Sequence, residues 1–272
     1  TANLPTPTIA DGSDYFQTKI FTGNGSSTVL TTGFSPDMIW LKSRASAFSH
    51  YLGDIVRGSN KLVRPSSTAA EITTTTGISS FNSDGVTLGS GSETNANNDS
   101  MVAWIWDAGT STVTNNDGNI ASSVRANPSA GFSIVSYTGT GTGSDTVGHG
   151  LNAAPKIIIL KDRDNAEDWP VYHTLVDGSY DFLYLNLTAS NSNSGWNVPT
   201  NSVFSASGAA GSGNKMIAYC FAPVAGYSAM GSFVSNNSTD GNFIYLGFRP
   251  SWIIVKRTDS TSNWFILDTA RD

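Results

Sequence analysis

One short pattern occurs three times in this chain and limits the folds that are open to it. Its copies read Gly-Phe-Ser-Pro-Asp-Met-Ile-Trp-Leu-Lys at 33–42, Asn-Ala-Ala-Pro-Lys-Ile-Ile-Ile-Leu-Lys at 152–161 and Gly-Phe-Arg-Pro-Ser-Trp-Ile-Ile-Val-Lys at 247–256. Gly131-Phe-Ser lies as far from Gly226-Tyr-Ser as the second copy lies from the third. Recurrence over such a distance indicates a protein built from domain-sized repeats.

The repeated segments have the character of β-strands. Residues 38–41 are apolar at every position, which fits a strand covered on both faces. Residues 101–106 align with 216–221, and in both copies the large side chains occupy alternate positions, so they lie on one face of a strand. We expect this bulky face to fill the core of a sandwich. Short strands, frequent Gly/Ser/Asn turns and little helical periodicity predict an all-β chain of tandem β-sandwich modules, of jelly-roll or lectin-like type.

The alignment of the copies predicts the domain boundaries. An extended lead-in covers 1–14, a first module 15–110, a polar linker 111–130 and a second module 131–225. A partial third module covers 226–272. Its last residues, Asp-Thr-Ala-Arg, match the Asp-Ile-Val-Arg of the first module, and the strands that follow in the first copy have no counterpart. Half a sandwich leaves an apolar face bare.

Composition excludes several classes of protein. The 7 Trp, 9 Tyr and 13 Phe predict a folded chain, and the net charge of −6 argues against a nucleic-acid partner, which needs a basic surface. Because there is no apolar run of membrane-spanning length, no membrane span is expected. Cys220 is the one cysteine and lies in an apolar run, so we expect a buried, inert thiol. An acidic surface poor in charged residues suits a protein that works outside a cell.

Catalysis needs a constellation of residues, and the sequence contains none. The histidines are His50, His149 and His173, and His149 lies in a glycine turn where local hydrogen bonding is the simplest interpretation. The glycine-rich stretch 138–143 has no following Lys-Ser/Thr, so it predicts a hairpin turn and no phosphate site. We expect no enzymatic activity.

Calcium is the one cofactor that the sequence leaves open. The stretches 115–118 and 95–99 are rich in Asn and Asp, whose oxygens hard cations prefer. Neither stretch has the spacing of a defined calcium loop, so solvated loops are the simpler interpretation.

A sugar-binding platform is the main hypothesis for a ligand site. Each copy of the repeat ends in basic residues with an aromatic residue nearby, and the candidate ligand-binding residues are Arg163, Trp169, Trp264 and Trp196. In this interpretation an aromatic face stacks on a pyranose ring while Arg binds its hydroxyl groups. The alternative is that the basic stems cover strand ends and the aromatics cap the core. Recurrence favours this second interpretation, since a repeated framework usually reflects folding.

Several of the repeated motifs resemble a known family. They read Pro-Asp-Met-Ile-Trp-Leu-Lys-Ser-Arg (36–44), Asp-Ile-Val-Arg-Gly (54–58), Phe-Asn-Ser-Asp-Gly (81–85), Val-Ala-Trp-Ile-Trp (102–106), Gly-Phe-Ser-Ile-Val-Ser-Tyr-Thr-Gly-Thr-Gly (131–141) and Val-Gly-His-Gly-Leu (147–151). These motifs are similar to those of a repeated domain family of marine, cyanophage-like bacteriophage tail-fibre and virion structural proteins. The resemblance covers most of the chain and transfers no catalytic or binding residues.

The resemblance implies a virion component, which is extracellular after host lysis. We expect a tail fibre, appendage or decoration protein that assembles with copies of itself, a trimer being one such arrangement, and with other virion proteins. Its mechanism is multivalent contact with a host-surface glycan or protein. The alternatives are a carbohydrate-binding module of a secreted protein and a glycan depolymerase, which needs paired carboxylates in a cleft.

Overall fold

The described part of the chain folds into all-β sandwich modules, as the sequence predicts. The structure, a computed structural model, describes residues 7–206 and 211–271, so residues 1–6 of the expected lead-in lie outside it. Within these ranges the helical elements are a single 3₁₀ turn (Gly12–Asp14) and the four-residue helix α1 (Ser92–Asn95). None of the helices in the described ranges could cross a membrane.

The first module is a sandwich of two sheets. Its strands are β1 (Phe16–Thr22), β2 (Thr28–Thr31), β3 (Met38–Ser43), β4 (Tyr51–Asp54), β5 (Lys61–Leu62), β6 (Ile72–Thr73), β7 (Ile78–Asn82), β8 (Gly85–Leu88) and β9 (Ser100–Trp106). One sheet has the order β1-β9-β3-β4 and the other β2-β8-β7, with β5-β6 as a short separate pair. Ile39, Leu41 and Ile105 of the first sheet pack on Val86 and Leu88 of the second.

The second module repeats this plan with a larger sheet. Its strands are β10 (Thr112–Asn115), β11 (Ser122–Asn127), β12 (Phe132–Thr138), β13 (Thr146–Gly148), β14 (Ile157–Asp162), β15 (Pro170–His173), β16 (Asp181–Tyr184), β17 (Ser192–Asn193), β18 (Val203–Ser205) and β19 (Lys215–Phe221). The main sheet runs β10-β11-β12-β19-β14-β15-β16-β17, and β13-β18 forms the second layer. The expected linker, 111–130, therefore contains two strands of this sheet. The sequence shows no clear alternation of apolar and polar residues here, because β10 lies at the edge of the sheet and its side chains are largely polar on both faces.

The third module consists, in the described residues, of one hairpin. Strand β20 (Trp252–Lys256) pairs with β21 (Trp264–Asp268). Its inner face packs on the other modules, whereas Phe265 and Leu267 on the outer face are 55% and 56% exposed. In the first two modules a second sheet covers this face.

The bulky faces of the three modules pack against one another, which corrects the expectation that each fills its own sandwich. Trp104 and Trp106 of β9 share one buried cluster with Tyr219 of β19 and with Trp252 and Ile266 of the hairpin. The small face, with Ala103, lies inside the sandwich instead. The first two modules are thereby covered on both faces, as the solid apolar strands predict.

Candidate functional site

A buried ion-pair network joins the first module to the second. Arg57 follows β4, and its guanidinium contacts Asp54 at 2.6 Å and Glu71 at 3.0 Å. Glu71 also accepts two hydrogen bonds, of 2.9 Å each, from Arg163 at the end of β14. The Tyr219 hydroxyl of β19 donates to Asp54 at 2.7 Å. Two modules thus share one set of charges.

This network determines the protonation of Glu71. Burial alone would raise the pKa of this carboxyl, but hydrogen bonds from Arg163 and the charge of Arg57 lower it to about 2. The carboxylate therefore stays ionised throughout the physiological range. Burial also raises the pKa of the Tyr219 hydroxyl well above its ordinary value, so it acts as a neutral donor.

Backbone carbonyl groups complete this interface. The Trp169 indole N–H donates to the carbonyl oxygen of Ser67 at 3.1 Å, and Lys161 Nζ donates to that of Thr68 at 2.9 Å. The N–H of Glu71 donates to the carbonyl oxygen of Arg163 at 2.9 Å. Burial lowers the pKa of Lys161 to about 8, so this ammonium group depends on its three carbonyl partners.

The interface between the second and third modules contains the same three kinds of bond, made by equivalent residues of the later module. The Trp264 indole N–H donates to the carbonyl oxygen of Tyr184 at 2.9 Å, and Lys256 Nζ donates to that of Thr188 at 3.4 Å. The N–H of Asn191 donates to the carbonyl oxygen of Thr258 at 2.8 Å. Trp264 follows Lys256 at the same interval as Trp169 follows Lys161. The repeated sequence pattern therefore contains the residues that dock each module on the preceding one.

The third module also contacts the first, so each module contacts both of the others. Trp104 donates its indole N–H to Asp268 at 3.0 Å, just as Tyr219 donates to Asp54. The Arg271 guanidinium binds Asp268 at 2.6 Å and lies 5.1 Å from the centre of the Trp104 ring.

A cleft of about 930 Å³ opens beside this third junction. Its lining includes Trp40, Lys42, Arg44 and His50 of the first module, Leu187 and Thr188 of the second, and Trp264, Phe265, Asp268 and Arg271 of the third. His50 follows Lys42 at the interval that separates Trp169 from Lys161. At the junction of the first and second modules, and at that of the second and third, a loop of the preceding module fills the equivalent place. Beside His50 this place would fall to the third module, and none of its described residues forms such a loop.

The cleft is positive in an acidic protein. Lys42, Arg44 and Arg271 face a single carboxylate, Asp268, which is already bonded to Trp104 and Arg271. Burial and the neighbouring charges of Lys42 and Arg271 lower the pKa of His50 to about 4, so His50 is neutral at pH 7. Its Nδ1 accepts a hydrogen bond of 2.9 Å from the Trp40 indole. Cations beside indole rings can bind an anionic ligand that also carries an apolar face.

The four candidate sugar-binding residues do not meet at one place. Trp169 has no exposed surface, and Arg163 is bonded to Glu71 between the first two modules. Trp264 borders the cleft. Trp196 stacks on Tyr172 at a centroid distance of 5.0 Å, at the far side of the second module's own core. Trp264 is thus the one candidate that lies beside the basic cleft.

The remaining candidate groups have local protein partners. His149 accepts at Nδ1 from the N–H of Leu151 at 3.2 Å, which agrees with a turn histidine. Cys220 is fully buried, and burial raises the pKa of its thiol to about 12. Asn95 and Asp99, in one of the two stretches considered for calcium, bond to Gly89 and Ser43. In residues 7–206 and 211–271 no group of three or more His, Cys, Asp or Glu side chains could hold a metal.

Sequence reasoning did not identify the cleft residues Trp40, His50 and Arg271 as a group. Trp40 and His50 are neighbours within the first module, and Arg271 joins them only when the third module docks on the first. A signal exists in the repeat itself, because His50 stands where the other copies have Trp169 and Trp264.

Comparison with protein families identifies a family to which the chain belongs. A family model described as a domain of unknown function, DUF7483, matches residues 11–272. No curated protein matches the chain, and no solved structure does.

Proposed function

From the premise that the chain belongs to the DUF7483 family of domains of unknown function, we propose that it is a non-enzymatic structural protein of a bacteriophage virion. In this role it is part of a tail fibre, appendage or decoration that assembles with other virion proteins and contacts the host surface. The proposal draws on the motif resemblance and on the way the modules are joined.

The observation that carries the proposal is the repetition of the junction. Equivalent residues of the later module make the bonds at both junctions. Lys161, Trp169 and Arg163 bind backbone groups of the first module, and Lys256, Trp264 and Thr258 bind backbone groups of the second. Repeated docking holds successive modules at fixed spacing. Fixed spacing suits an appendage, because weak contacts that are presented together gain effective concentration.

The buried charges support a role without catalysis. Arg57, Glu71 and Arg163 have strong fixed partners and lie in a closed interface. A catalytic acid or base needs access to a substrate and a pKa near the working pH. Glu71, with its pKa near 2, is instead suited to holding two modules together.

The virion role is tested on purified particles of a phage that encodes this chain. We expect peptides of the chain in density-purified particles, gold-labelled antibody on an external appendage, and slower adsorption to host cells when excess free protein is added. Absence of the chain from the particles, together with release of sugar reducing ends from host polysaccharide, would refute the proposal in favour of a depolymerase.

The cleft favours a second candidate function, binding of an acidic glycan. Trp40 and Trp264 offer ring surfaces, and Lys42, Arg44 and Arg271 offer cations for a carboxylate or sulfate. Calorimetric titration with acidic oligosaccharides should give binding that Arg44→Ala weakens roughly tenfold, the loss of about 1.4 kcal/mol expected for one charged hydrogen bond. Arg257→Ala is the matched control, since Arg257 is exposed and pairs with Asp259 outside the cleft. Equal affinity of the two variants would place the ligand elsewhere.

A further inference from the structure

A polar notch of about 330 Å³ lies on the second module, beside its junction with the first. The side chains that give it its chemistry are four hydroxyl groups and two cations, from Thr114, Ser123, Ser136, Thr138, Arg163 and Lys215. The notch shares no lining residue with the cleft at the third junction. It is therefore a separate site, formed within residues 114–215.

The floor of the notch is a row of hydroxyl groups on three neighbouring strands. Ser123 of β11 pairs with Thr114 of β10 on one side and with Ser136 of β12 on the other. Paired residues of adjacent strands point to the same face, and the strands lie about 4.8 Å apart. Thr138 and Lys215 form a further pair on this face, two residues beyond Ser136 along β12. Hydroxyl groups can both donate and accept hydrogen bonds, so this floor suits a polar ligand.

Arg163 presents one edge of its guanidinium group to the notch. Its Nε and Nη2 donate to the two carboxylate oxygens of Glu71 at 2.9 Å each, whereas Nη1 donates to the Ser136 Oγ at 3.3 Å. Since Nη1 carries two protons, one is left for a ligand. The Arg163 side chain is only 10% exposed, so its bonds to Glu71 hold it in place before a ligand arrives.

The positive charge of Arg163 is only partly balanced by the protein. Its partner Glu71 also contacts Arg57 at 3.0 Å and Lys61 at 3.5 Å. These three cations share two carboxylates, those of Glu71 and Asp54, so one positive charge is left over. An anion beside the free edge of Arg163 would balance it.

Lys215 brings a second cation to the same place. Its side chain is 63% exposed, and Nζ lies 3.8 Å from a carboxylate oxygen of Asp164. So long and exposed a pair contributes little stability, which leaves the ammonium group able to turn towards a ligand. Among the described residues that line the notch, none carries a carboxylate.

We propose that this notch binds a sulfate or phosphate group. The anion lies between Nη1 of Arg163 and Nζ of Lys215, and the hydroxyl group of Thr138 donates to a further oxygen. A tetrahedral oxyanion has enough acceptor oxygens for donors that approach from several directions, and hydrogen bonds between charged groups are the strong ones. The row of Thr114 and Ser123 beside it suits the hydroxyl groups of a sugar that carries the anion. The volume is near the lower end, about 300 Å³, of small-ligand sites, which fits one sugar unit.

The test is a titration of the intact protein followed by the chemical shifts of its amide groups in NMR. The probes are glucose sulfate with its sulfate on the exocyclic oxygen, the corresponding glucose phosphate, glucose and inorganic sulfate. We expect glucose sulfate to bind one to one, with shifts centred on Ser123, Ser136 and Arg163. Glucose should bind at least about tenfold more weakly, because it makes no charged hydrogen bond.

The remaining two probes identify the source of the anion. Glucose phosphate should bind about as well as glucose sulfate, since both offer a tetrahedral set of oxygens. Inorganic sulfate should bind more weakly, because it makes no contact with the row of hydroxyl groups. Equal affinity for inorganic sulfate and glucose sulfate would support the same site with a free oxyanion as its ligand.

Two variants at exposed positions test the site without disturbing the junction that Arg163 holds. Lys215→Ala should weaken the binding of glucose sulfate about tenfold, whereas Lys156→Ala, at an exposed lysine outside the notch, should not. Ser123→Glu places a carboxylate in the floor and should weaken binding at least as much. Its matched control is Ser129→Glu, in an exposed turn of the same module.

Three results would each overturn the proposal. The first is that none of the probes causes shifts at these residues, or that the shifts centre instead on cleft residues such as Arg44 and Arg271. The second is equal affinity for glucose and glucose sulfate. The third is binding that Lys215→Ala and Ser123→Glu leave unchanged.

Discussion

Glu71 is bonded to arginines from two modules, and this single carboxylate illustrates how the chain uses its few charges. Only 13% of the residues are charged, yet Arg57, Glu71 and Arg163 meet in one interface with side chains that are at most 10% exposed. A buried ion pair adds stability only when its geometry is good and its remaining hydrogen bonds are satisfied. The paired bonds from Arg163 and the contact with Arg57 meet that condition.

Replacing this carboxylate should have an effect that depends on pH. The pKa of Glu71 is lowered from its ordinary 4.5 to about 2, so its contribution to stability is complete above pH 4.5 and is lost as the pH falls towards 2. Glu71→Gln should lower the free energy of unfolding at pH 7 by about 2 to 3 kcal/mol. The difference from the unaltered protein should shrink between pH 4.5 and 2, measured by urea unfolding.

Glu167→Gln is the matched control for this measurement, because Glu167 is exposed and lies outside the network. A Glu71→Gln effect that is the same at pH 7 and at pH 3 would show that the ion pair does not stabilise the interface.

Strands β9 and β19 show how alternation along one element serves two different surfaces. On each strand one set of alternate residues, including Trp104 or Tyr219, faces the neighbouring modules, and the other set, including Ala103 or Ala218, faces the second sheet of the same module. Ala103 and Ala218, both fully buried, hold equivalent places on the small face. Both faces of each strand are therefore buried, each against a different partner.

A larger side chain on the strand face that carries Ala103 should destabilise the fold. Ala103→Leu adds three carbon atoms between two closely packed sheets, so we expect a loss of about 1 to 3 kcal/mol in the free energy of unfolding, measured by chemical denaturation. Ala121→Leu, at an exposed position outside the strands, should change it by less than about 0.5 kcal/mol. An Ala103→Leu protein as stable as the control would mean that the space between the two sheets accommodates a leucine side chain.

At the scale of the whole molecule, the modules share one core. Trp106 and Phe132, from the first two modules, belong to a single buried cluster, and the half-buried Trp252 of the third module packs against it. Trp106 packs edge-on against Trp252 at a centroid distance of 5.6 Å. Because each module buries its bulky face only against the others, separation would expose large aromatic surfaces to water.

This shared core predicts cooperative unfolding of the whole chain. Differential scanning calorimetry should show one transition in which the calorimetric and van't Hoff enthalpies agree. Tryptophan fluorescence, which reports on the shared cluster, should change at the same temperature as the far-ultraviolet circular dichroism. Two separate transitions would indicate modules that fold and unfold independently.

Much of the fold could be predicted from local pattern. The apolar runs that end in Lys42, Lys161 and Lys256 mark β3, β14 and β20. Strands β3 and β14 are covered on both faces, which needs apolar residues at every position. Strand β10, at the sheet edge, and its neighbour β11 were not predicted, since the largely solvated edge strand has only a weak apolar pattern. The candidate site was anticipated only at Trp264, because the other residues of the cleft come from distant parts of the chain.

The amino-acid sequence by itself determined that this protein is all-β and built from copies of one module, since alternation and turn residues act over a few positions. Only the tertiary structure decided which surface each face covers. A bulky strand face is equally apolar whether it closes its own sandwich or meets a neighbouring module. The choice depends on the spacing between sheets and on bonds such as those of Trp104 with Asp268 and Tyr219 with Asp54, which join residues far apart in the chain.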